Sequence, residues 1–305
     1  MKQLVSIIII FLGLGCATDF TINPVQLPSL ASPGQKGYIK SEFIFPIKDR
    51  PTRMCHSSTI EETSTGLVAS WFGGSEEGSK DVGIWVSRLI DGKWSKPLEV
   101  ANGGENTDRQ YPCWNPVLFQ PRHGPLLLFF KVGPSPRKWW GEMMSSEDGG
   151  KTWINRRRLG NNQKVGSLIG PVKNKPIQLS DGTILCGAST EYRIFWLYNR
   201  WRVHFEITRD LGDSWKVIAP INNGYTIRAI QPSFLLHPND QIQIVCRSRE
   251  NAIVQSWSYD RGLTWKKMTP TSLPNPNSGL DSVTLKDGRH LIVYNHTGER
   301  GSSPS

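Results

Sequence analysis

The sequence has no hydrophobic run long enough to cross a bilayer comfortably, the short one at its start included, which argues against a helical membrane protein. Cysteine is scarce. Cys16, Cys55, Cys113, Cys186 and Cys246 contain no Cys-x-x-Cys pair, so neither a zinc site nor a redox dithiol is expected. The last four read as buried thiols on strands. Also missing are a phosphate loop, a Gly-x-Ser-x-Gly elbow and any cluster with metal-ligand spacing, so neither a cofactor nor a metal is expected. No run of basic residues interleaves with aromatics, which speaks against a nucleic-acid partner. The formal charge of +10 still suits an anionic partner such as an acidic glycan. No segment carries the periodicity of a long helix, and no Pro/Gly/Ser linker divides the chain.

The apolar run from Leu4 to Leu12 follows Lys2 and leads into small Gly15 and Ala17. Such a segment predicts a signal peptide over 1–17 and hence an exported protein, secreted or periplasmic. Cys16 offers an alternative lipid anchor. Residues 18–37 read as a lead-in, and the alternating apolar residues of 37–47 as an outer strand. Residues 38–305 read as one domain, expected to be a monomer.

Internal repetition carries the fold. Ser146-Glu147-Asp148-Gly149-Gly150-Lys151-Thr152-Trp153 fits the pattern Ser/Thr-x-Asp-x-Gly-x-Ser/Thr-Trp. Thr208 through Trp215, with Asp210, repeats it, as does Ser258 through Trp265, with Asp260. A worn copy keeps Ser87, Asp91, Gly92 and Trp94. Successive box tryptophans lie 59, 62 and 50 residues apart, a spacing of about one four-stranded unit. The Asp binds the amides of its own turn, the Gly takes a backbone conformation others resist, and the Trp packs beneath, so the boxes are structural. Between them lie apolar hairpins: 58–62 with 67–72, 116–120 with 126–131, 176–179 with 183–188, 233–236 with 242–247, and 282–285 with 290–295. Two of these turn at Asp181-Gly182 and Asp287-Gly288. The pattern predicts an all-β propeller with four whole blades and the inner hairpin of a fifth. A closed ring would need the rest of blade five and a sixth blade, so a C-terminally truncated six-bladed propeller is expected.

In this blade order the residues before each first strand and after each second strand converge around the axis, opposite the Asp boxes. That end carries Cys55, His56 and Ser57; Trp114 and Asn115; Lys173, Asn174 and Lys175; and Gln231. It also carries the loop from Trp71 to Asp81, with Lys131, Glu191, Arg247, Arg249, Asn295 and His296. Apolar strands that deliver polar residues to one end predict a ligand pocket.

These boxes and this blade order resemble the sialidase (neuraminidase) superfamily of BNR-repeat type over roughly residues 40–305. The resemblance implies an exo-α-sialidase-like glycoside hydrolase acting on an acidic glycan, an exception to the two-carboxylate rule of glycosidases. In that family three arginines hold the substrate carboxylate, and a tyrosine nucleophile works with a glutamate partner and an aspartate acid/base. Residues 231–265 match the fourth-blade region and put Arg247 at the second arginine; Arg300 falls where the third would lie. The first arginine is replaced by Cys55-His56-Ser57, with Arg53 two residues early. Asp81 or Glu77 takes the acid/base region. The glutamate position falls near Ala229, leaving Glu191 or Glu206 to substitute, and the tyrosine would lie beyond Ser305.

Two other readings stand beside this one. His56 at the pocket mouth suits a polysaccharide lyase or atypical glycosidase on uronic-acid polymers, with His56 as base and Arg247 and Lys131 neutralising the uronate. Alternatively, Trp71, Trp114, Trp139 and Trp140 stack on sugar rings in a non-catalytic carbohydrate-binding propeller.

Overall fold

The computed structural model describes residues 34–104, 109–194 and 198–298. The expected signal peptide, Cys16 and Arg300 lie outside them. Strands begin at Met54. β1 (Met54–Thr63), β2 (Gly66–Gly74) and β3 (Gly83–Ile90) pair in sequence, and β4 (Lys93–Trp94) and β5 (Leu98–Ala101) both pair with β3. Blade two is β6 (Cys113–Phe119), β7 (Leu126–Val132), β8 (Trp140–Ser146) and β9 (Ile154–Arg158). A small ribbon, β10 (Asn161–Asn162) with β11 (Gly166–Ser167), precedes blade three. That blade is β12 (Ile177–Gln178), β13 (Ile184–Ile194), β14 (Tyr198–Thr208) and β15 (Lys216–Ile218). Blade four is β16 (Ala229–Leu236), β17 (Ile242–Ser248), β18 (Ala252–Ser258) and β19 (Thr269–Pro274). The hairpin β20 (Asp281–Thr284) with β21 (His290–Val293) follows. The chain is thus an all-β propeller of antiparallel blades.

The core lies between blades rather than inside them, because each strand alternates its side chains between two neighbours. Along β7, Leu126, Leu128 and Phe130 pack with Val68, Ile84 and Val86 of blade one. The intervening Leu127 and Phe129 pack with Ile184 and Cys186 of blade three. Val203 and Phe205 meet Phe234 and Ile244 across the next seam. Each Asp box closes a turn against such a seam. Asp210 Oδ1 accepts from the Ser214 amide at 2.9 Å and from the Thr208 hydroxyl at 2.8 Å, and Trp215 Nε1 donates to the Gly212 carbonyl at 3.0 Å. Asp260 and Trp265 repeat these contacts, and the Trp265 ring stacks on Phe205 of the preceding blade, 4.2 Å between centroids. In the first box Asp148 accepts from the Thr152 amide at 2.8 Å, and Trp153 packs into the seam of blades one and two.

Two expectations need correction. Residues 37–47 form no strand: Ile39 and Phe43 stay exposed, Pro46 lacks a ladder donor, and a 3-10 turn follows at Ile47–Asp49. Cys113, Cys186 and Cys246 are free and buried, but Cys55 is exposed at the start of β1. No described helix is long and apolar enough to cross a membrane.

Candidate functional site

The inner strand of each blade opens on a non-glycine residue in the left-handed region. Ser57 (φ 52°), Asn115 (φ 39°) and Gln231 (φ 57°) each sit in a register shift of the first ladder, and Lys173 (φ 67°) precedes β12. A bulge at this point rotates the side chain out of the ladder and toward the axis. Two of these residues precede a proline, Pro116 or Pro232, which needs no ladder donor at the break. Left-handed backbone costs a non-glycine residue about 1 kcal/mol or more and clusters where a site demands it. Here it marks the start of the inner strand in each of four blades, at one end of the ring.

These four left-handed residues line a single cleft of about 440 Å³, together with His56, Trp114, Glu77, Glu191 and Arg247. Trp114, Trp139 and Trp201 supply apolar wall. Trp114 and Trp139 meet edge to face at 6.1 Å, and Trp114 Nε1 donates to the Gly133 carbonyl at 2.8 Å. The loop that carries Glu77 crosses the Trp114 ring closely at Gly78 (φ 86°), where a Cβ would come within 3.2 Å of the indole.

The charges are arranged on this frame. Arg247 Nε donates to Asn277 Oδ1 at 3.1 Å, a terminal nitrogen donates to the Asn277 carbonyl, and another reaches Gln231 Oε1 at 3.4 Å. These bonds fix the guanidinium plane. Burial pulls the Arg247 pKa down and Glu191 pulls it back up. Lys173 Nζ donates to the Leu280 carbonyl at 2.8 Å and to Asn174 Oδ1 at 3.0 Å. Burial lowers its pKa, and Asp281 opposes the shift. Burial also raises the Glu191 pKa, against the nearby guanidinium groups of Arg247, Arg137 and Arg249. The cleft therefore holds two cations stripped of much of their water beside a carboxyl biased toward its protonated form. Such a set can grip an anionic group and deliver a proton.

Of the residues predicted from sequence, the cleft gathers His56, Ser57, Glu77, Trp114, Asn115, Trp139, Lys173, Glu191, Gln231 and Arg247. The structure places the others elsewhere. Asp81 spends both carboxylate oxygens on the amide and hydroxyl of Ser75, each at 2.8 Å, closing its own loop. Trp71 packs on Phe45 beside a separate hollow. Lys175 pairs with Glu61 at 2.9 Å. Lys131 is fully buried between blades two and three and donates to the Pro171 carbonyl. Glu206 is buried there too, accepting from the Gly170 amide at 2.7 Å and bonding His204 at 3.0 Å. Arg249 lies over the Trp201 ring at 4.7 Å. His296 bonds the Tyr294 hydroxyl, and neither it nor Asn295 lines the cleft. Pro136 and Trp201 were not anticipated, because they belong to a loop and a third strand outside the strand-end pattern. No group of three His, Cys, Asp or Glu suited to a metal occurs among the described residues.

Antiparallel blades closed by Asp boxes around an axial cleft define a sialidase-like β-propeller. Residues 65–302 match the family described as BNR repeat-like domain, and the chain belongs to that family. Its fold is similar to that of a protein of unknown function from Dyadobacter fermentans (TM-score 0.66, 16% identity, 79% of this chain and 74% of that one). It is also similar to the NanB sialidase of Streptococcus pneumoniae (TM-score 0.65, 13% identity, 85% and 59%). The leech intramolecular trans-sialidase is a third such structure (TM-score 0.60, 14% identity, 84% and 57%). The chain spans less than two thirds of the length of the latter two. No curated protein matches it in sequence.

Proposed function

We propose that this propeller is a glycoside hydrolase of sialidase type acting on an acid-bearing glycan. The observation that carries the reading is the constrained, partly desolvated guanidinium of Arg247 beside Glu191, inside a cleft walled by tryptophans. Arg247 and Lys173 hold the sugar's acid group, and the indole rings pack on its apolar faces. Glu191, its pKa raised by burial, donates the proton to the departing glycosidic oxygen. Glu77, exposed on the facing loop, accepts the proton of the water that attacks the anomeric carbon.

The test is acid-sugar release from a simple α-sialoside by the purified chain. Glu191→Gln is expected to lower turnover by about 10²–10⁴-fold, and Arg247→Ala to raise KM strongly, both in folded protein. Turnover that survives Glu191→Gln would sink the assignment of the proton donor.

A second reading has one observation in its favour. His56 and Glu77 also share a small cavity of about 110 Å³ beside the cleft, an imidazole and a carboxylate that could act together on a uronate polymer. An unsaturated product, lost in His56→Ala, would select that lyase reading. Ligand binding without any turnover would select a carbohydrate-binding propeller.

A further inference from the structure

The central cleft does not end at Glu191. A second hollow of about 230 Å³ shares Pro136, Trp139 and Glu191 with it and runs outward over the seam of blades two and three. It is lined on one side by the ribbon strand β11, Gly166 and Ser167, and on another by the end of β13 at Ser189 to Tyr192. That end exists because β13 and β14 stay paired from Ile184↔Thr208 to Ile194↔Tyr198, well past the span of their neighbours. The rim presents Tyr192, 39% exposed, with the Arg202 guanidinium 5.5 Å from its ring centroid. Arg137 and Lys138 stand exposed on the opposite side. The Arg137 guanidinium, like that of Arg247, acts on Glu191 against its burial, so this outer cation lies close to the central site.

We infer that the outer hollow is a second sugar subsite, which takes the neighbouring acidic residue of a linear anionic oligosaccharide on Arg137 and Lys138 beside the Tyr192 ring. The inference rests on the proposed reading of the central cleft and extends it from a terminal sugar to a chain. A neutral neighbour would leave two cations without a partner. An acidic sugar meets them with charge-assisted bonds and offers its ring face to the tyrosine.

The test is calorimetric titration of the full chain with sialic acid and its α2,8-linked trimer, and with galacturonic acid and its trimer. The two series separate the sources of the acid group. The accepted trimer should bind about tenfold tighter than its monomer, as one added charge-assisted contact implies. Arg137→Ala with Lys138→Ala should bring the trimer back to within about twofold of the monomer. A Gln/Gln pair, which keeps the stems and removes the charge, should behave in the same way, with thermal melting matched to the parent. Affinity that does not rise with length overturns the inference, as does a gain that survives the double variant. Monomer binding that vanishes in Arg247→Ala while length has no effect sinks the outer subsite alone. No binding by monomer or trimer sinks both readings.

Discussion

At the residue scale, Lys131 shows how position overrides type. A lysine at the end of a strand reads as a ligand-facing cation, yet its place in the alternation of β7 follows Leu127 and Phe129, so it turns into the seam with blade three. There it faces Glu206, which accepts from the amides of Ile169 and Gly170 while Lys131 holds the Pro171 carbonyl, so the pair ties down the segment that leads to Lys173. Burial pushes the Lys131 ammonium down to about 7, with Glu206 opposing. A base with a depressed folded-state pKa binds fewer protons than the unfolded chain between that value and its ordinary one, so stability rises with pH across that window. Denaturant midpoints of the parent should therefore gain on those of Lys131→Met between pH 7 and 9, by roughly 2 kcal/mol. Parallel pH profiles for the two proteins would contradict this.

At the element scale, the bulge near the start of the inner strands of blades one, two and four joins fold and site. Its left-handed residue interrupts the ladder and spends backbone energy to aim one side chain at the axis. Gln231 carries both consequences, since its side chain also braces Arg247. Gln231→Gly is expected to keep or raise the melting temperature while weakening acid-sugar binding. Gln231→Val should lose about 1–3 kcal/mol of stability, because a β-branched residue resists this backbone. If both variants lose stability equally, the bulge is not what holds the conformation. The worn box at Asp91-Gly92 marks the other use of turns. Ser87 there donates to the Ser95 carbonyl at 2.7 Å, and the blade still closes.

At the scale of the whole molecule, a formal charge of +10 surrounds a cleft whose own cations are Arg247 and Lys173. That field favours encounter with an anionic chain and is screened by salt. Binding of an acidic oligosaccharide should weaken several-fold between about 0.05 and 0.5 M NaCl, mainly through the association rate. Stopped-flow measurement at the two salt concentrations checks this; a salt effect confined to dissociation would mean that local contacts alone carry the charge dependence.

The blades were legible in the sequence because their signals are local. An Asp box is one turn, a hairpin is two adjacent strands, and period-two alternation needs no distant partner. The end of the barrel-like ring where polar residues collect was legible for the same reason. Which of those residues enter the cleft was not. His56, Asn115, Glu191, Gln231 and Arg247 turn inward, while Lys131, Lys175 and Arg249 leave for partners in neighbouring blades or on the surface. Asp81 and Glu77 share one loop, yet the bonds to Ser75 take Asp81 and leave Glu77 lining the cleft. The long pairing of β13 with β14, and with it Trp201 and the outer hollow, also lay beyond the repeat. Sequence periodicity determines how each blade forms, but side-chain direction at a blade's end depends on bulges and on what the next blade offers. Those terms exist only once the blades pack together.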